Sequence, residues 1–370
     1  MSGDVCALNS HGCSTRVRQA GPRVVRCLAA SVIVSIGLGL AVTPARAGRL
    51  AAWPGPPSSP RSLAGVLARA QPGDTVFVHP GVYRGTFELR RGVSLLGIAG
   101  PDSTVLDADG GRYVLSGRDL DSTTVVAGLT LQHGRRDHPN SGGGGLYLFR
   151  SSPIVAGNVF RAHLGYLGPG IYMNYGSHPV IAGNVFRDNE GYLGGALAAY
   201  EGCDPLVYGN WLHDNRAVSG GGMLCLRSAP VVLHNTFVAN SASRGGGAIY
   251  CNEAPALVAD NIFAHNADDA ANPGAVYFSS PERPATVRGN VLWENTGGPN
   301  GGHCPPLVGQ DGNRAAAPDF EDLATRRLGL REERGVPAAG APSWSTGAVP
   351  AVPDSVLAVW REWRRAHAER

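Results

Sequence analysis

Six short units recur between residues 140 and 300, and this repeat restricts the fold more than any other feature of the chain. Each unit opens on glycine ahead of a short apolar run: Gly143-Gly144-Gly145-Leu146, Gly170-Ile171, Gly194-Gly195-Ala196-Leu197, Gly220-Gly221-Gly222-Met223, Gly245-Gly246-Gly247-Ala248-Ile249 and Pro273-Gly274-Ala275-Val276. A proline follows in each (Pro153, Pro179, Pro205, Pro230, Pro255, Pro284). Then comes an asparagine: Asn158, Asn184, Asn210, Asn235, Asn261 and Asn290, spaced 26, 26, 25, 26 and 29 residues apart. Two places beyond each stands a large apolar residue (Phe160, Phe186, Leu212, Phe237, Phe263, Leu292). Three further on is a second asparagine (Asn189, Asn215, Asn240, Asn266, Asn295), with His163 in its place in the first unit.

The apolar runs are too short for helices and are bounded by Gly and Pro. A unit this small cannot bury its own apolar side chains, but stacking one on the next makes a continuous core. The repeat therefore predicts an all-β chain, a single-stranded right-handed parallel β-helix of about nine or ten coils with short helical caps. Glycine suits the tight bends, and asparagine suits turns where its amide bonds nearby backbone. Stacked once per coil, the amides would also bond one another along the axis.

The same plan extends forward through Thr75-Val76-Phe77-Val78, Val93 to Ile98, Thr104 to Leu106, Tyr113 to Leu115 and Thr124 to Leu131. Before it, Leu63, Val66, Leu67 and Ala70 share one helical face, which predicts an N-terminal cap. After Gly302 the pattern dissolves into a Pro- and Ala-rich stretch. Val356, Val359, Trp360 and Trp363 then form a helical stripe beyond Pro353, read as a cap on the open end of the stack or as a docking helix. The expected organisation is a leader over 1–47, a linker and cap helix over 48–72, the β-helix over 73–310, an irregular closing segment over 311–350 and an amphipathic helix over 351–370.

The leader has the form of a secretory signal peptide: Arg23 and Arg26, an apolar run from Leu28 to Val42, and Ala45-Arg46-Ala47 as the cleavage site. Export to the periplasm, the cell surface or the medium is expected. The leader holds five arginines and one aspartate, so the remainder sits close to neutrality with no basic face for nucleic acid. Contact with a membrane is expected only through the C-terminal helix. Four cysteines remain after cleavage: Cys203, Cys225, Cys251 and Cys304. Aligning units by glycine and proline puts Cys225 and Cys251 on opposite strand faces, and this register is preferred; aligning by asparagine makes them coincide and permits a disulfide.

Gly246-Gly247-Ala248-Ile249 together with Phe-x-x-Asn (Phe186 to Asn189, Phe237 to Asn240, Phe263 to Asn266) resembles the repeats of polymorphic outer-membrane proteins. Pro72 to Val76 and Pro80 to Gly85 resemble the first coils of the pectin lyase-like superfamily, and Pro318-Asp319-Phe320 with Gly347-Ala348 its closing segment. The chain is thus similar to right-handed parallel β-helix repeat proteins. That resemblance implies the fold and, for activity, a choice among polysaccharide lyases, hydrolases and methylesterases.

The motifs those enzymes need are not visible. The chain has no lysine, which removes lyases that use a Lys–Arg pair. Asp268-Asp269 is the sole Asp-Asp and lies in a polar insertion. Acid–base glycoside cleavage needs two carboxylates about 5–10 Å apart; Glu201 with Asp204, or Asp188 with Glu190, are the pairs on offer. His163, His213 and His265 fall on separate coils, so no metal site is expected, and no cofactor is implied. The strand after each glycine pair is the expected ligand face. Its fifth position reads Arg150, Tyr175, Glu201, Arg227 and Asn252, with Tyr200 and other tyrosines beside it. Such a column suits an extended, hydroxyl-rich or acidic glycan. The expected function is carbohydrate or cell-surface polymer binding without catalysis, the alternative being a lyase or glycoside hydrolase acting on an acidic glycan.

Overall fold

Each repeat supplies three or four strands of two to four residues, and each strand pairs in parallel with its counterparts one coil away. The computed structural model describes residues 47–139, 141–270, 273–318, 320–322, 327–330 and 351–367. The expected leader lies outside them, apart from Ala47. The first sheet has ten strands, from Arg49–Ala52 to Thr286–Arg288. The second has nine, from Gly81–Arg84 to Val291–Trp293, and the third nine, from Phe87–Leu89 to Asn300–Gly302. Ten coils and the all-β solenoid agree with the sequence expectation. A fourth sheet of six strands, Arg135–Arg136 to Ala267–Asp268, lies between the second and third in the middle coils and was not foreseen.

Inside the coils, like residues sit over like. Leu131, Phe160, Phe186, Leu212, Phe237, Phe263 and Leu292 form one buried row of the second sheet. Phe160 and Phe186 stack at 4.8 Å, and Phe237 and Phe263 at 5.1 Å. Both asparagine ladders form. Asn158 Nδ2 donates to Asn184 Oδ1 at 3.1 Å, Asn184 to Asn210 at 3.0 Å, and so on to Asn290, which donates to Asn313 at 2.9 Å. The second ladder runs from Asn189 to Asn295, and His163 heads it by donating its backbone N–H to Asn189 Oδ1 at 3.1 Å. Asn158 Oδ1 also accepts the Leu129 backbone N–H, and each later Oδ1 in the first ladder accepts the preceding asparagine's, so the buried turns leave neither group unpaired.

Cys225 and Cys251 are register partners facing the core, with both thiols free. The preferred glycine alignment therefore slips by one residue. Gly220 and Gly246 are the equivalent corners, both at φ 69°, and Ala248 occupies the place that Gly222 fills one coil earlier. The corner demands that conformation: a Cβ on Gly220 would lie 2.4 Å from the Met223 carbonyl oxygen.

Helix α1, Leu63–Arg69, starts at Ser62, whose hydroxyl accepts the Gly65 N–H at 3.1 Å. Its Leu63, Val66 and Leu67 join the core of the first coils, so it closes the N-terminal end. Helix α2, Asp354–Ala366, does not cap the far end. Its Val356, Leu357 and Trp360 lie flat on the outer face of the first sheet, against Ile154, Val180, Leu206, Val231 and Leu257. That sheet is apolar on both faces, so its exterior needs a cover, and the Trp360 indole N–H donates to the Asp204 carbonyl at 2.9 Å. Val356, Leu357 and Trp360 are thereby spent within the chain, and no helix among the described residues is long and apolar enough to cross a membrane. Residues 313–318 add a partial last coil: Arg314 bridges to Val291, and beyond them Phe320 packs by Trp293 on the second sheet.

Candidate functional site

Alternation along the third-sheet strands sends every second side chain outward. Leu146 and Leu148 enter the core, while Tyr147 and Phe149 face out. One outward row is Ser116, Tyr147, Tyr172, Ala198, Leu224, Tyr250 and Tyr277. The next is Arg118, Phe149, Asn174, Tyr200, Leu226 and Asn252. Immediately beyond the strands, the bend toward the first sheet carries a third row: Asp119, Arg150, Tyr175, Glu201, Arg227 and Glu253, all in left-handed conformation with φ of 41° to 54°.

Four of the six sequence-predicted residues, Arg150, Tyr175, Glu201 and Arg227, thus share the bend row. Tyr200 and Asn252 belong to the adjoining row. Asn252 was assigned to the column through the same one-residue slip that misplaced the cysteines; Glu253 stands there instead. Asp119 and Glu253 were missed, and counting from the residue that fills the Gly222 position would have found Glu253.

The charges in this row answer one another. Arg150 pairs with Asp119 at 2.8 Å, and Arg227 with Glu201. The hydrogen bond that Arg227 donates to Glu201, together with the negative charge of that carboxylate, raises the Arg227 pKa above its ordinary value. Arg118 and Arg150 lie over the Phe149 ring at 4.1 and 5.1 Å, and Tyr175, 58% exposed, tilts against that ring at 4.8 Å.

The tyrosine row is neither core nor open ridge. Tyr172, only 4% exposed, packs with Ala198 and Leu224 and with Leu167 of the fourth sheet, beside Tyr166 and Leu193. Outward chains of two sheets can touch only if the faces meet at an inside corner. A Cβ on Gly142 would lie 2.3 Å from the Tyr172 ring, so glycine makes room for it. Tyr113, Tyr147, Tyr172 and Tyr200 follow one another at 5.8 to 6.2 Å, Tyr250 and Tyr277 at 5.2 Å, and Tyr166 stacks on Tyr192 at 4.7 Å. Arg136 lies over Tyr113 and Tyr147. Burial pushes the Tyr172 and Tyr147 phenols up, which keeps them neutral hydrogen-bonding groups.

The carboxylate pairs weighed from sequence do not stand alone. Glu201 is bound to Arg227, and Asp204 is buried with its carboxylate accepting the Ala229 N–H at 2.7 Å. Asp188 pairs with Arg187, while Glu190 lies on the fourth sheet beside Arg216. Asp268 accepts the N–H groups of Gly246 and Gly274 and holds the glycine corner. Among the described residues no group of three or more His, Cys, Asp or Glu could hold a metal ion. His163 is fully buried, and burial lowers its pKa to about 3. His213 and His265 pair locally with Asp214 and Glu294 on separate coils.

A second polar row, also missed, runs along the second sheet's exterior: Arg84, Asp107, Gln132, Arg161, Arg187 and His213. Its sequence signal is the residue after each apolar anchor. Arg161 donates to Gln132 Oε1 at 2.9 and 2.6 Å, and Gln132 Nε2 donates to Asp107 Oδ2 at 2.8 Å. His133 Nδ1 lies 3.1 Å from Asp107 Oδ1. Burial raises the Asp107 pKa, but the bonds from Gln132, the Asp109 amide and His133 outweigh it and leave the carboxyl below its ordinary value.

A family model described as the right handed beta helix region matches residues 121–304, the stretch that holds the later coils of the stack, from Val125–Ala127 to Asn300–Gly302. This chain is a right-handed parallel β-helix protein. The sequence expectation of a pectin lyase-like fold is met by the stacked parallel sheets and this match. Among solved structures, the β-helix protein is similar to a pectate lyase Pel9A (14% identity, 82% of this chain and 92% of that one, TM-score 0.46). It is also similar to the A-module of mannuronan C-5 epimerase AlgE6 from Azotobacter vinelandii (17%, 66% and 91%, 0.36). An alginate lyase from Paenibacillus sp. str. FPU-7 is a third (14%, 68% and 93%, 0.33). No curated protein matches the chain.

Proposed function

We propose that this is an exported β-helix protein that binds a carbohydrate or another cell-surface polymer, without turnover, along the outer face of the third sheet. The observation that carries this reading is the stacking of three outward rows over six coils. Strands about 4.8 Å apart bring onto this one face the rings of Tyr147, Tyr172, Tyr250 and Tyr277, the guanidinium groups of Arg118, Arg150 and Arg227, and the carboxylates of Asp119, Glu201 and Glu253. An extended chain of ring-shaped, hydroxyl-bearing units would meet apolar faces and hydrogen-bonding groups along that path. The absence of turnover is supported by the engagement of Asp119 and Glu201 in ion pairs, which leaves neither carboxylate waiting as a base. Export rests on the form of the leader.

The test is capture of labelled polysaccharides, with polygalacturonate and cello-oligosaccharides as the acidic and neutral probes, alongside assays for new reducing ends and unsaturated products. Retention of a probe by the wild type, lost in Arg150→Ala/Tyr175→Ala/Arg227→Ala, with no product, is the expected result. Equal retention by the triple variant would overturn the assignment. The other reading, a lyase or hydrolase on an acidic glycan, is favoured by one observation: the Asp107 carboxylate bound to His133 beside Arg84, and linked to Arg161 through Gln132. Product release that disappears in His133→Ala would decide for it.

A further inference from the structure

Helix α2 closes one side of a cleft of about 510 Å³ at the bend beneath the third sheet. His178, Glu201, Asp204, Arg227 and Arg283 of the solenoid line it, facing Arg364 and His367 from the end of α2. The cleft gathers three guanidinium groups against two carboxylates. Glu201 takes up Arg227, while burial lowers the Arg364 pKa and the nearby Asp204 charge offsets that only in part. Arg283, on an exposed left-handed turn at φ 54°, brings the excess positive charge.

The donors on these residues are not all used. The Arg364 Nε–H is buried without a hydrogen-bond partner, a costly state for a guanidinium group. His178 Nδ1 accepts the Asp204 N–H at 3.2 Å, so the neutral ring carries its proton on Nε2 and presents a further donor. Burial holds that ring neutral by lowering its pKa to about 4. At the helix end, His367 Nδ1 lies 2.8 Å from the Trp363 carbonyl, and Arg364 lies over the Trp360 ring at 5.2 Å, which fixes the guanidinium against the helix.

We infer that this cleft binds a small oxyanion, held between Arg283 of the solenoid and Arg364 of α2. The shared chemistry is a compact group of anionic oxygens, presented either by the carboxylate of a sugar acid or by inorganic sulfate or phosphate. Such a ligand would satisfy the Arg364 Nε–H, offset the excess charge, and bridge α2 to the solenoid. By linkage it would stabilise the docked helix. The inference shares Glu201 and Arg227 with the polymer-binding reading but does not depend on it.

The test uses the full chain and isothermal titration with galacturonate, sodium sulfate and sodium phosphate, each against sodium chloride at equal ionic strength and against uncharged galactose. The expected result is saturable 1:1 binding of at least one oxyanion, with none for galactose. Kd should rise at least tenfold in Arg283→Ala and in Arg364→Gln, and ligand should slow amide exchange across 354–366. The arm that saturates identifies the source. Arg283 lies on an exposed turn, so its variant keeps the fold even if Arg364→Gln loosens the helix. No saturable oxyanion binding by the wild type, or an unchanged Kd in Arg283→Ala, would overturn the inference. Polymer capture is a separate readout, so the two readings fail distinguishably.

Discussion

Replacing Asn235 by Ala strikes the first asparagine ladder at its middle. In the intact chain Asn235 Oδ1 accepts both the backbone N–H and the side-chain amide of Asn210, at 2.9 and 3.0 Å. Its Nδ2 donates to the carbonyls of Val207 and Leu233 and to Asn261 Oδ1, at 2.9, 3.0 and 3.0 Å. Alanine removes all of these. The Asn210 side chain keeps its bond to Ile181, and the Leu233 carbonyl keeps the Gly209 N–H. The Val207 carbonyl lies within the parallel ladder to 231–233, so the Asn210 N–H is the buried group left without a partner. One such group amounts to about 1–3 kcal/mol of lost stability. Urea unfolding followed by circular dichroism measures this, with Glu190→Ala on the exposed fourth sheet as a control expected to stay within about 0.5 kcal/mol. A loss below about 1 kcal/mol for Asn235→Ala would refute the reasoning, because the ladder would then be ornament on turns that close without it.

Phe186→Ala, which empties a buried place between the Phe160 ring and Leu212, should cost about 3–5 kcal/mol in the same assay. Trp360→Ala removes the indole bond to Asp204 and the most deeply buried ring of α2, and should expose 354–366 to limited proteolysis while the solenoid's circular dichroism persists. Acid should destabilise the fold. The unfolded chain protonates His163 and His178 below about 6.5, whereas the folded forms stay neutral down to about 3 and about 4. Stability present above 6.5 is therefore lost as pH falls from there toward those values, and His163→Asn, matching the rest of its ladder, should flatten that slope. Burial pushes the Cys203 and Cys304 thiols up to about 12, so the native protein should resist alkylation at these positions and react only on unfolding.

The fold was legible in the sequence because stacking converts a period into columns, and the columns are visible in the chain: Phe160 over Phe186, Asn184 over Asn210. The first site residues were legible for the same reason. What failed was register by a single residue, since Gly245-Gly246-Gly247 offers three equivalent starting points and Ala248 disguises the right one. The fourth sheet was hidden because stretches such as Glu190 to Leu193 are short, half-exposed and without an apolar rhythm. An amphipathic stripe on α2 told what would be buried but not where. The answer lay in strands such as Ile154–Ala156 and Val231–Leu233, whose residues are apolar at every position and so require cover on both faces. The Asp107 network escaped notice because its members come from three coils and carry no shared residue type.

Amide exchange on the full chain, with and without polygalacturonate, tests polymer binding by the third sheet most directly. Slowed exchange is predicted to recur once per coil, at 146–150, 171–175, 197–201 and 223–227, leaving the second-sheet strands 159–161 and 185–187 unchanged. Protection confined to those second-sheet strands, while the third-sheet segments exchange at their free rate, would contradict the account.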